Sequence, residues 1–105
     1  MPDEIDVPFF EDGKWQIYKD PDDKLFYAYD VEVELTNSAT AIASIAPVVE
    51  GVEVLTAPVF DGPIAVIRLG GLDVTAGADN FCTLRFTCAN TEQFDKTIWF
   101  VKREN

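Results

Sequence analysis

Phe81-Cys82-Thr83-Leu84-Arg85-Phe86-Thr87-Cys88-Ala89 is the stretch that decides the fold of this 105-residue chain. Cys82, Leu84, Phe86 and Cys88 recur at every second position, with Thr83, Arg85 and Thr87 between them. Successive side chains of a strand point to opposite faces, so the spacing predicts a strand with its Cys-Leu-Phe-Cys face turned inward. Along such a strand the two cysteines lie about 20 Å apart at roughly 3.3 Å per residue. A disulfide needs Cα atoms closer than about 7 Å, so they do not pair with each other there. Both read as small buried apolar side chains.

Towards the C-terminus, residues 90–95 form a turn and residues 97–101 (Thr-Ile-Trp-Phe-Val) a last strand. In the other direction residues 74–80, with Gly77 and Asp79, read as a loop. The pair Gly70-Gly71 ends an apolar run over residues 64–69 and is read as a turn needing positive φ. Asp61-Gly62-Pro63 and Glu50-Gly51 are turns on either side of a strand that opens at Val52 and is closed by Pro58. Residues 41–49 are expected as strand, because Pro47 would interrupt a helix and Ile42, Ile45, Val48 and Val49 are apolar and β-branched. Thr36-Asn37-Ser38 makes a break. Before it, Val31, Val33 and Leu35 alternate with Asp30, Glu32 and Glu34, which predicts a half-buried strand. Tyr27 and Tyr29 share the face of Val31 and are expected buried, as are Phe86 and Trp99. Residues 14–18 alternate as a short strand, and Pro21 makes residues 19–24 a turn or irregular edge.

About seven short strands follow at intervals near ten residues, with Gly, Pro, Asn and Asp between them and no helix. The expected fold is all-β, an Ig-like β-sandwich over residues 14–105 behind an extended acidic N-terminal arm, residues 1–13. A small jelly roll or partly open barrel is the second architecture.

Charge bounds the partners. There are 19 acids, 8 bases and no His, a net charge of −11. Residues 1–34 hold 11 of the acids against 3 bases, so most of the negative potential sits at the front. Such a surface repels phosphate backbones and anionic membranes, so neither nucleic acid nor membrane is an expected partner. No apolar stretch approaches the roughly 18 residues of a membrane span. The N-terminal residues lack the basic start of a signal peptide, and a cytoplasmic site of synthesis is expected.

The search for reactive groups returns little. Without His, neither a Ser-His-Asp arrangement nor a Cys/His zinc site can form. No phosphate-binding glycine motif occurs. Asp20-Pro21-Asp22-Asp23 could offer oxygens to Ca²⁺, yet it lacks the spaced ligands, the Gly and the closing Glu of an EF-hand loop. No catalytic residue, metal or cofactor is expected, and the chain is not expected to be an enzyme. Eight Phe, three Tyr and two Trp are generous for this length. They cluster in residues 9–29 and in the last strand pair. Surplus aromatics beside an acidic arm suit a protein interface, for which Phe9, Phe10, Trp15, Tyr18, Lys19, Asp20 and Pro21 are the candidates.

The stretch Lys19-Asp20-Pro21-Asp22, followed by Leu25, Tyr27 and Asp30, resembles a family of small tailed-phage virion proteins. In these a K-D-P-x-x-x-L-x-Y segment precedes an Ig-like sandwich. The resemblance runs on through Gly51, Val54, Gly70-Gly71 and residues 98–101, about residues 18–103 in all. Members often carry Trp where this chain has Val31, and Ser where it has Leu69. The resemblance implies a virion structural role, in the head or at the neck, with no catalytic residues to transfer. A capsid decoration or cement protein is the expected function, bound to the major capsid protein or another virion protein, with homo-oligomers a further expectation. The alternative is a neck-, tail- or fibre-associated module used in host-surface adhesion.

Overall fold

Eight strands and one short helix build the chain, described for residues 9–11 and 13–102 by a computed structural model. The first sheet runs in the order β1 (Phe9–Glu11), β2 (Lys14–Lys19), β8 (Gln93–Lys102), β7 (Phe81–Cys88) and β4 (Ile42–Glu50). The second has the order β3 (Leu25–Asp30), β6 (Ile64–Gly70) and β5 (Glu53–Asp61). All neighbours are antiparallel except β2 and β8, which are parallel. With β2 as the first strand, the second sheet has the B-E-D order and β4-β7-β8 the C-F-G order of an Ig sandwich. The all-β Ig-like sandwich expected from the strand count is what forms, and β1 adds a short eighth strand to the seven.

Alternation explains why the two sheets stick. Cys82, Leu84, Phe86 and Cys88 of β7 are all buried, as their spacing requires. Opposite them the second sheet buries Tyr27, Tyr29, Ala65, Ile67 and Leu69. Tyr27 meets Phe100 edge-on at 5.1 Å between ring centres, and Phe86 stacks on Phe94 at 5.0 Å. Such pairs add about 0.5–1.5 kcal/mol beyond the area they bury.

The two buried tyrosines differ in one atom's fate. The Tyr29 hydroxyl donates to the Cys82 carbonyl oxygen at 2.8 Å, a polar tie across the sandwich. The Tyr27 hydroxyl has no hydrogen-bond partner among the described residues. Burial pushes both phenols up, Tyr27 to about 12 with Asp23 adding to the effect, and Tyr29 further. Tyr29→Phe, which removes this buried hydrogen bond, is expected to lose about 0.5–1.5 kcal/mol, and Tyr27→Phe, which removes an unpartnered hydroxyl, to lose nothing or gain slightly. Urea unfolding of both variants checks the contrast, and equal losses would contradict it.

Two expectations are corrected. The stretch read as a strand through Val31, Val33 and Leu35 is instead a helix, α1 (Glu32–Ser38). Val31 and Leu35 are buried while Val33 is 69% exposed, a spacing of four rather than two. Asp30 accepts the Glu32 amide at 3.0 Å, and Glu32 and Glu34 lie in the first turn, where the helix dipole favours acids. Ala39 closes the helix in the left-handed conformation. Trp99, expected in the core, is half-buried on the outer face of the first sheet. There its ring meets Phe81 at 4.9 Å and the Lys14 ammonium at 4.1 Å. The apolar neighbours Ile98 and Phe100 take the inward positions. Pro47 lies within β4 as expected for an edge strand, where a missing N–H is tolerated.

Candidate functional site

The aromatic candidates converge on one edge of the sandwich. β1 pairs with β2 in a hairpin that sets Phe9 opposite Gln16 and Phe10 opposite Trp15. The pairing makes residues 9–11 the outermost strand of the first sheet, while residues 1–8 and 12 of the expected arm lie outside the described residues. Trp15 is 46% exposed. It borders a groove of about 240 Å³ whose other walls are Ala28, Tyr29 and Asp30 of β3 and Lys96, Thr97 and Ile98 of β8. At its rim the Lys96 ammonium meets the Glu34 carboxylate at 2.6 Å. Partial burial is the largest influence and works to raise the Glu34 pKa, but the bond with Lys96, a backbone hydrogen bond and the attraction of the Lys96 charge together outweigh it and hold the carboxyl below its usual range. Tyr18 is half-buried on the outer face of β2, opposite Val101 of β8.

Lys19 departs from the other candidates. Its side chain is buried, and the ammonium donates to the carbonyls of Asp23 at 2.8 Å and Asp20 at 3.2 Å. The same turn is closed by the Asp23 amide on the Asp20 carbonyl and by the Asp20 amide on the Asp23 carboxylate. Burial pulls the lysine pKa down, against the attraction of Asp23 and Asp20. Lys19 is therefore engaged within the molecule, where it holds the turn together. Asp20 and Pro21, both half-buried, form the start of that turn. The Lys-Asp-Pro segment is thus a structural device, in which an ammonium supplies the positive charge that the carbonyls face. Among the described residues no three Cys, Asp or Glu side chains gather as metal ligands.

Apolar exposure appears where the strand readings placed none. Phe26 and Val59 are 61% and 63% exposed, on the outer side of the second sheet. The signal was present in residues 64–69, apolar on both faces apart from Arg68. A strand apolar on both sides needs cover on both, and this sheet is covered on one. Cys82 and Cys88 are free and buried, and burial pushes the Cys82 thiol up, away from the reactive thiolate. The chain matches no known family model, no curated protein and no solved structure.

Proposed function

We propose that this chain is a structural protein of a tailed-phage virion, a capsid decoration or cement protein acting through protein–protein contacts rather than catalysis. The single observation that carries the reading is the aromatic edge. Phe9 and Phe10 belong to the outermost strand, in register with Gln16 and with Trp15, and Trp15 is half-exposed and borders a groove. Aromatic anchors next to a preformed apolar groove are what interface hot spots use. The resemblance of the Lys19 to Tyr27 segment to small virion proteins supplies the particle. The net charge of −11 suits a position away from packaged DNA. Adhesion to a host surface is the second reading, yet the loop over residues 74–80 carries no aromatic side chain to offer one.

Quantitative mass spectrometry of purified virions, normalised to the major capsid protein, tests this. A copy number equal to the capsid subunit's, or a simple fraction of it, is expected. Phe9→Ala/Phe10→Ala protein is expected to fall in occupancy about tenfold or more. Wild-type occupancy by that variant would remove the aromatic edge from the reading. Absence of the parent protein from virions would remove the virion role itself.

A further inference from the structure

The outer face of the second sheet is arranged as half of a symmetric joint. Strand register sets its rows: Phe26, Arg68 and Thr56 side by side, then Ala28, Val66 and Val59, then Asp30, Ile64 and Asp61. The alternate positions Tyr27, Tyr29, Ala65 and Ile67 are buried between the sheets, so these rows face outward. The middle of the face is apolar and its charges stand at the ends. At one end the Arg68 guanidinium lies 5.7 Å over the Phe26 ring, and its Nε donates to the Lys24 carbonyl. Lys24 and Glu53 flank Gly70 just beyond. At the other end are Asp30 and Asp61, one on each side of Ile64.

We propose that two copies of this chain associate through this face, about a two-fold axis that lies in the interface and runs across the strands. That axis sets the strands of the two copies antiparallel. Arg68 of each copy then stands between Asp30 and Asp61 of the other, Phe26 lies over the other copy's Asp30 end, and Ala28, Val66 and Val59 meet their own images in the middle. An isologous contact repeats each pairing twice. Charge selects the occupant. A protein of net charge −11 repels its own copies on average. Here, however, one end carries Arg68 and Lys24 against the single acid Glu53 and the other carries Asp30 and Asp61 with no base, so that the pattern complements its own image. A uniformly basic or acidic partner would match one end and clash with the other. The outer face of the first sheet differs, because Arg85 is already paired with Asp95 at 2.9 Å and Lys14 covers Trp99.

Size sets the strength. Three strands about 4.8 Å apart, each with about seven residues at roughly 3.3 Å, give a face of roughly 14 by 23 Å. Two such faces bury less than the roughly 1,200–2,000 Å² of stable complexes, so the dimer is weak and concentration-dependent. The dimer stands independently of the virion role.

Sedimentation velocity over a concentration series of the full chain tests it. The parent protein is expected to pass from monomer to dimer. Arg68→Glu and Asp61→Arg are each expected to weaken self-association about tenfold or more. An equimolar mixture of the two is expected to recover it as a heterodimer, since each altered side chain then faces its complement. Val59→Asp is expected to abolish the dimer, with circular dichroism melting used to confirm that each variant folds. A parent protein that stays monomeric throughout, variants that dimerise like the parent, or a mixture that recovers nothing would each overturn the proposal.

Discussion

Phe86→Ala is expected to remove about 3–5 kcal/mol of folding stability, a large share of the roughly 5–15 kcal/mol that a domain possesses. Phe86 is fully buried on β7, which has neighbours on both sides in the first sheet. It stacks on Phe94 of β8, and its register partner on β4 is Ile45. Truncation loses the transfer energy of the ring and leaves a cavity between strands whose hydrogen-bonded spacing prevents collapse. Phe26→Ala is the internal control: with 61% of the residue exposed, its loss is expected to stay near 0.5 kcal/mol or below. Urea unfolding of the two variants checks both values. A Phe86→Ala loss under about 1 kcal/mol would mean that the core lies elsewhere.

Gly51→Ala is expected to lose about 3–5 kcal/mol, from backbone strain together with broken hydrogen bonds. Gly51 has φ +77°, where an L side chain is strained, and a Cβ there would overlap Asn80 Oδ1 and lie 2.8 Å from the Asp79 carbonyl. Asn80 cannot give way cheaply. Its Oδ1 accepts the Asp73 amide at 2.8 Å, its Nδ2 donates to the Asp73 carbonyl at 3.0 Å, and its own carbonyl accepts the Phe100 amide at 2.8 Å. One methyl group therefore pushes on the clasp of the whole 73–80 loop. Gly77→Ala, at φ +82° with open space around it, isolates the strain and is expected to lose about 1–2 kcal/mol. Thermal melting of the pair separates the two contributions, and equal losses would show that the Asn80 clasp yields.

β7 was legible because one side of it is core and the other is wet, so a two-residue period was written into its side chains. Residues 31–35 misled for a related reason. Val-Glu-Val-Glu-Leu satisfies a strand's period, but it also places Val31 and Leu35 four apart, as one helix face requires. Asp30 and the acids of the first turn decide between them. Trp99 was misplaced because residues 98–101 are apolar at every position, which erases the period that would separate inside from outside. Of the interface candidates, Trp15 reads directly as an exposed aromatic. Lys19 does not, because its burial depends on a turn whose carbonyls are aimed at its ammonium, and residue type alone says that a lysine is solvated. The outer face of the second sheet was hidden because its rows draw on three strands far apart in sequence, and only their register brings Arg68, Asp30 and Asp61 into one pattern.

The parallel pairing of β2 with β8 also determines how the domain carries force. The strand that opens the sandwich and the strand that closes it run side by side in the same direction, joined from Gln16–Trp99 to Lys19–Lys102. Tension between the chain before β2 and the chain after β8 pulls these strands past each other along their length. Their hydrogen bonds lie across that direction and share the load together, whereas an antiparallel pair gripped at adjacent ends would unzip bond by bond. The sandwich is therefore braced in shear, a geometry in which a small domain yields late and all at once.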